Sequence, residues 1–145
     1  MRNLLIILLL ISVFSCKKKS KEQKNENHPV PSVLVNYTTY PGDPLNFKIQ
    51  SIGGWMYVDN IGINGIIIYR KSQEEFVAIE RTSSYLPDDP AAKVKVLNDN
   101  FTLRDTVSDS RWSIFDATVT QGPAEWPLRT YGTSYNGNAL TIKNQ

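Results

Sequence analysis

Cysteine and histidine are almost absent from this chain of 145 residues, which has one of each, Cys16 and His28. Zinc sites and iron–sulfur clusters need several such side chains together, and many hydrolases need a histidine beside their nucleophile. A disulfide needs two cysteines. The composition therefore argues against a soft-metal centre, a histidine-assisted nucleophile and a disulfide-bonded scaffold.

An excess of positive charge is also missing from most of the chain. The formal net charge of +2 arises from six basic residues before residue 30, whereas ten lysines and arginines stand against twelve aspartates and glutamates from Val30 onward. Domains that bind nucleic acid carry a basic patch or stripe. The sequence therefore gives no basis for a nucleic-acid partner.

No hydrophobic run is long enough to cross a bilayer, which takes about 20 residues. The run from Leu4 to Phe14 follows Arg2 and has the length of the apolar part of a secretory signal peptide. It ends in Ser15-Cys16, which resembles the bacterial lipobox. We predict that residues 1–15 are a lipoprotein signal peptide and that Cys16 is acylated, with palmitate among the acyl chains. An ordinary signal peptide with an incidental cysteine is the alternative.

The segment that follows, residues 16–31, is polar and rich in lysine. It has too little apolar surface to order itself, so we predict a flexible tether on which His28 is exposed. Contact of the lysines with anionic head groups is an alternative. Lys17 stands where related lipoproteins of Gram-negative bacteria carry an inner-membrane retention aspartate. We therefore expect attachment to the outer membrane through Cys16, with the domain facing the periplasm.

From residue 32 to residue 145, short segments rich in β-branched and aromatic residues alternate with Gly, Pro, Asn and Asp. This pattern predicts an all-β domain, an antiparallel sandwich or small barrel of about nine short strands. Asn136-Gly137 predicts a type I′ hairpin, and residues 98–100 predict another turn. One helical turn is expected at 44–50, with Asp43 as its cap. The predicted strands are 32–37, 55–59, 65–71, 75–81, 93–98, 101–105, 111–115, 127–135 and 139–144.

Several segments of the sequence resemble Rieske iron–sulfur proteins. Phe76-Val77-Ala78-Ile79-Glu80-Arg81-Thr82, followed by Ser83-Ser84-Tyr85, resembles their strand and first cluster-binding loop. The stretch from Ser110 to Asp116, and then Gly122-Pro123-Ala124-Glu125-Trp126-Pro127-Leu128-Arg129-Thr130-Tyr131, resembles their second loop region and proline-bearing segment. Gly53-Gly54-Trp55 and residues 65–69 resemble opening strands of Rieske-like lipoproteins. The similarity covers about residues 33–144.

The resemblance implies where a cluster would be bound. Rieske proteins hold a [2Fe-2S] cluster with Cys-x-His on one loop and Cys-x-x-His on the next. The matching positions here are Ser83, Tyr85, Asp105 and Ser108, none of which is cysteine or histidine. The resemblance thus implies a Rieske-like domain without cofactor or redox activity, in which Tyr85 fills the vacated space and Asp105 accepts a loop hydrogen bond.

Acidic pairs and serines offer two lesser alternatives. Asp88-Asp89 or Glu74-Glu75 would have to bind Ca²⁺ without an EF-hand loop, so solvated turns are the favoured interpretation. Ser83, Ser84 or Ser108 would need a carboxylate or lysine as base, because no histidine accompanies them. Neither alternative gives a catalytic residue, and we expect a protein that is not an enzyme.

Two function classes follow from these expectations. The first is a non-catalytic envelope lipoprotein that uses its domain as an interaction or structural module, with an envelope protein as partner. The second is a lipoprotein that binds a small ligand or glycan at the vacated loops, where Trp126 is the best candidate for an exposed aromatic platform. Exposed aromatic rings beside a concave loop surface would favour the second class, and a flat polar tip would favour the first.

Overall fold

The computed structural model describes residues 27–145, and within them the prediction of an all-β fold is confirmed. Ten short strands form two antiparallel sheets. Two short 3₁₀ helices, Pro44–Ile49 and Pro90–Ala92, accompany them. The strands are β1 (Asn36–Thr39), β2 (Trp55–Val58), β3 (Ile66–Arg70), β4 (Phe76–Glu80), β5 (Lys95–Val96), β6 (Thr102–Arg104), β7 (Arg111–Ser113), β8 (Val119–Gln121), β9 (Thr130–Tyr135) and β10 (Leu140–Lys143).

The larger sheet has the order β1-β10-β9-β4-β3-β2, and the smaller sheet has the order β5-β6-β7-β8. The whole smaller sheet lies between β4 and β9 along the chain. These two strands are neighbours in the larger sheet, where Ala78 pairs with Tyr131. The smaller sheet is therefore an excursion from the larger one.

Strand β3 is buried on both faces, because each face packs on a different core. Ile67 and Tyr69 point toward the smaller sheet and join Trp112 in one cluster. Ile66 and Ile68 point the other way, into a second cluster. Since alternate side chains of a strand face opposite sides, an uninterrupted apolar run fits a strand covered twice.

The larger sheet curls around the second cluster, to which residues of both its edge strands contribute. The first 3₁₀ helix adds Ile49 to this cluster. Its predicted cap is confirmed, since Asp43 Oδ1 accepts a hydrogen bond from the Leu45 N–H at 2.8 Å. The buried Arg70 guanidinium closes this end by donating to the carbonyls of Ile49 and Gln50 at 3.3 and 2.8 Å.

The predicted hairpins are present, with one change in turn geometry. Asp99 Oδ1 accepts hydrogen bonds from two N–H groups, and β5 and β6 pair across it. Between β9 and β10, Gly137 has a φ of +88°, but Asn136 is not among the residues with positive φ. The type I′ prediction is therefore wrong, because that turn needs two positive φ values in succession. Asn136 instead accepts the Asn138 and Ala139 N–H groups through its side chain.

The start of the domain differs from the expected boundary at residue 32. Val30 is fully buried, and Arg129 Nε donates to its carbonyl at 2.8 Å. His28, expected to be exposed on the tether, is half-buried against the domain. The predicted signal peptide and Cys16 lie outside the described residues. Within residues 27–145, no helix has the length and apolar character needed to span a membrane.

Candidate functional site

Three loops meet at one end of the smaller sheet. The first loop (81–89) follows β4, the second loop (105–110) joins β6 to β7, and the third loop (122–129) joins β8 to β9. Asp105, at the start of the second loop, is fully buried. A buried carboxylate is costly unless hydrogen bonds compensate for the lost water, so its partners define this site.

The Asp105 carboxylate accepts four hydrogen bonds. Oδ2 accepts from the Ser83 hydroxyl at 2.8 Å and from the Ser108 hydroxyl at 2.7 Å. Oδ1 accepts from the N–H groups of Val107 and Ser108 at 2.8 and 3.4 Å. The first bond links two loops that are far apart in the sequence, and the others shape the second loop. We call Ser83, Asp105 and Ser108 the serine–aspartate network.

The two serines of the network also accept hydrogen bonds. Ser83 Oγ accepts from the N–H groups of Tyr85 and Leu86, each at 3.2 Å. The Ser108 and Ser110 hydroxyl oxygens lie 2.9 Å apart. Since Ser108 gives its one proton to Asp105, Ser110 is the donor in this contact. Ser110 Oγ in turn accepts from the Ala124 N–H at 3.0 Å, which joins the third loop to the second.

The carbonyl of Trp126 ties the third loop to the rest of the site. It accepts from the Ser84 hydroxyl at 2.7 Å and from Trp112 Nε1 at 3.0 Å. Trp112 is fully buried in the core below. The three loops are thus bonded to one another and to the core.

Of the four residues that the resemblance places at cluster-ligand positions, three lie together between the loops and one lies at the surface. Ser83, Asp105 and Ser108 come into direct contact. Tyr85 does not fill the space between the loops, because its ring is 46% exposed while the carboxylate and the two hydroxyls lie between the loops. These residues do not fit an iron–sulfur cluster: their donor atoms are hard oxygens, which are already bonded to each other.

The outer surface of this end carries one exposed apolar residue from each loop: Tyr85, Val107 and Trp126 are 46%, 51% and 42% exposed. We call these residues the apolar tip. Beside Tyr85 lies an open groove of about 510 Å³, lined by residues 85–90. Asp88 is exposed there, and Asp89 caps the second 3₁₀ helix by accepting the Ala91 N–H at 2.8 Å.

The burial and hydrogen bonds of Ser83 and Ser84 favour a structural role for them over a nucleophilic one. Ser83 donates its proton to Asp105 and accepts two N–H groups, and Ser84 donates to a carbonyl. Both are at most 5% exposed, so neither hydroxyl is presented to a substrate. In the described part of the chain, no three His, Cys, Asp or Glu side chains are grouped closely enough to hold a metal ion.

Sequence reasoning missed a second fully buried carboxylate, that of Glu80 at the end of β4. Its Oε2 accepts from the Ile63 N–H at 2.9 Å and from the Tyr131 hydroxyl at 2.7 Å. Burial, followed by the hydrogen bond to Glu80, raises the pKa of Tyr131 above its usual value. Oε1 accepts from the Asn64 N–H and from the N–H and hydroxyl of Thr82. The sequence did contain a signal for this burial. Side chains alternate between the two faces of a strand, so Glu80 lies on the same face of β4 as the buried Phe76.

No protein-family model matches this sequence, and no curated protein is significantly similar to it. The Rieske resemblance therefore depends on the residue patterns alone. The contact of Ser83 with Asp105 is compatible with it, because the resemblance assigns these residues to adjacent loop tips.

Proposed function

We propose that the protein is a non-catalytic lipoprotein of the cell envelope, anchored through Cys16, whose Rieske-like domain binds another envelope protein. The observation that carries this proposal is the serine–aspartate network, in which Ser83 and Asp105 join the first two loops at 2.8 Å. In this interpretation the network replaces the cluster as the link between the loops, and the domain keeps the platform without the redox group.

The apolar tip is the proposed contact surface. Its aromatic residues have the character of the anchors that dominate protein interfaces, which are enriched in tryptophan and tyrosine. The loops that carry them are already fixed by hydrogen bonds, so binding orders little additional chain. Preorganisation of this kind favours affinity because less conformational entropy is lost on association.

Capture from native membranes tests the contact surface. The lipidated protein is compared with Tyr85→Ala/Trp126→Ala and with Tyr40→Ala, a control that removes a similarly exposed tyrosine after β1. We expect the wild type and the control to retain the same envelope protein after cross-linking, and the tip variant to lose it. Equal capture by all three proteins would contradict the proposal.

Membrane attachment has a separate test. The Cys16→Ser variant is expected to move from the membrane fraction to the soluble periplasm, since acyl chains contribute about 0.8 kcal/mol of membrane affinity for each buried methylene. Fractionation of inner and outer membranes, with protease treatment of intact cells, tests the outer membrane and its periplasmic face. An unchanged sedimentation and processed mass of the variant would refute the anchor.

Ligand grafting tests the Rieske interpretation. The variant Ser83→Cys, Tyr85→His, Asp105→Cys and Ser108→His restores the family's ligand types at its spacing. We expect iron and sulfide to give Rieske-like visible absorption, whereas a control with only the two cysteines does not. A folded four-residue variant that forms no such cluster would count against the interpretation.

A second candidate function, the binding of a small ligand or glycan, is favoured by the groove of residues 85–90. Tyr85 offers an exposed ring on which a sugar face can stack, and the exposed Asp88 carboxylate can accept a hydroxyl group. Titration with envelope oligosaccharides, followed by NMR, should shift the signals of residues 85–90 in the wild type and in Tyr40→Ala but not in Tyr85→Ala. Shifts that persist in Tyr85→Ala would exclude Tyr85 as the stacking platform, and the absence of shifts in the wild type would exclude this groove.

A further inference from the structure

His28 fastens the start of the described chain to the third loop. Its Nδ1 accepts the Val30 N–H at 3.1 Å, and its Nε2 lies 3.0 Å from the Pro127 carbonyl oxygen. Its ring meets the Trp126 ring edge to face, with the centroids 5.8 Å apart. An imidazole that accepts at Nδ1 and donates at Nε2 is neutral, with its proton on Nε2.

We propose that His28 is a pH-sensitive latch: the neutral ring holds residues 27–29 against Trp126 and Pro127, and the protonated ring releases them. The latch stands at the junction between the lysine-rich segment and the domain. Its opening would lengthen the connection to Cys16 and uncover the side of Trp126 that faces His28. The latch does not depend on acylation or on the proposed partner.

Protonation is unfavourable in this geometry because it turns Nδ1 from an acceptor into a donor. The added proton would face the Val30 N–H, which then loses its acceptor. The Val30 carbonyl oxygen, 3.2 Å from Nδ1, is the nearby alternative. That oxygen already accepts from Nε and Nη2 of Arg129, which use both of its lone pairs. The charged ring would therefore lack a free acceptor at Nδ1.

The charges around His28 also disfavour its protonation. Arg129 is the cation near the ring, whereas Glu125, beside Trp126, is exposed to solvent. Burial lowers the pKa of His28 below its usual 6.5; the Pro127 and Val30 carbonyls raise it in part, and Arg129 lowers it again. As the pH falls, the released ring binds a proton at a higher pH than the held ring does. The latch is therefore at full strength above about pH 6.5. It weakens as the pH falls from there through the lowered pKa.

The experiment uses the fact that the full chain has a single histidine. Selective ¹³C and ¹⁵N labelling of histidine gives one ring signal for the full-length protein in detergent micelles. We expect a pKa below that of an unstructured histidine and an Nε2–H tautomer at pH 8. The exchange protection of the Val30 amide should fall between pH 6.5 and the His28 pKa, by up to about tenfold per pH unit.

Two variants and one reference amide make this result specific. His28→Ala should leave the Val30 amide unprotected at pH 8 and at pH 5, and Arg129→Gln should raise the His28 pKa. The Ile68 amide in the middle of β3 should keep its protection throughout, which separates release of the latch from unfolding. A His28 pKa at or above the unstructured value would overturn the proposal. Equal Val30 protection at both pH values, or full protection in His28→Ala, would also overturn it.

Discussion

The two fully buried carboxylates, Asp105 and Glu80, both replace lost water with hydrogen bonds, but their donors differ. Glu80 accepts from three backbone N–H groups and two hydroxyls, those of Thr82 and Tyr131. Asp105 accepts from two backbone N–H groups and two serine hydroxyls. Glu80 organises the turn before β3, whereas Asp105 joins loops on either side of the smaller sheet's first strands.

The difference lies in which donors a substitution can remove. Backbone N–H groups remain whatever the side chains are, so the turn at residues 62–64 always needs an acceptor in the position of Glu80. The space is also fixed, because a Cβ on Gly62 would lie within 2.2 Å of Glu80 Oε2. The serine hydroxyls of Ser83 and Ser108 can instead be removed together with Asp105. The Asp105 site therefore depends less on fixed donors, because two backbone N–H groups, those of Val107 and Ser108, remain there, against three at Glu80.

The largest expected effect is that of Glu80→Gln. The amide nitrogen would face N–H and O–H donors in place of an acceptor, and each unsatisfied buried donor costs about 1 to 3 kcal/mol. We expect the free energy of unfolding in urea to fall by about 3 to 5 kcal/mol. Glu75→Gln, one residue before β4 and exposed, is the matched control and should stay within about 0.5 kcal/mol of wild type. Similar losses in both variants would disprove the role of Glu80.

A thermodynamic cycle on the serine–aspartate network should give a smaller, non-additive effect. Asp105→Ala alone leaves the Ser83 and Ser108 hydroxyls without their acceptor, for an expected loss of about 2 to 3 kcal/mol. Removing both hydroxyls as well should cost at least about 1 kcal/mol less than the sum of the three single substitutions. Urea unfolding measures all four variants. Strict additivity would show that the three side chains act independently.

The smallest expected effects come from removing one hydroxyl donor at each site. Tyr131→Phe deprives Glu80 of one donor out of five, for a loss of about 1 kcal/mol. Ser83→Ala should cost about 1 kcal/mol more, because Ser83 Oγ also accepts the Tyr85 and Leu86 N–H groups. Thermal and urea unfolding rank the pair. The reverse order would mean that these two N–H groups find water as a replacement acceptor.

Local patterns predicted the elements of the fold better than the contacts between them. Eight of the nine predicted strand segments contain a strand of the structure, because each carries its own apolar or alternating pattern between turn residues. The ninth, 32–37, overlaps β1 only at Asn36 and Tyr37, since β1 runs from Asn36 to Thr39. Strand β8 was missed, since Val119-Thr120-Gln121 is a short edge strand with two exposed residues and little apolar signal. The turn at Gly137 differs from the predicted type I′ turn because the Asn136 side chain accepts hydrogen bonds from the Asn138 and Ala139 N–H groups. The Asn-Gly dipeptide alone does not predict these bonds.

The site was partly predictable for the same reason. The resemblance pointed to Ser83, Asp105 and Ser108, which do meet, but it could not show that Tyr85 turns outward into a proline-bounded loop. The attachment of His28 to the third loop joins residues 99 positions apart, and no local pattern encodes it. Composition alone therefore assigned His28 to the tether.

The segment that forms the smaller sheet, residues 81–129, begins and ends at neighbouring points of the larger sheet. At these points the Glu80 N–H donates to the Arg129 carbonyl at 2.9 Å. Segments whose two ends lie side by side tolerate insertion and exchange, since the remaining chain need not change its path. The loops of residues 81–129 can therefore vary in length and sequence across evolution while β4 and β9 stay paired. The condition is that a replacement segment brings its own equivalent of Trp112 to cover Ile67 and Tyr69.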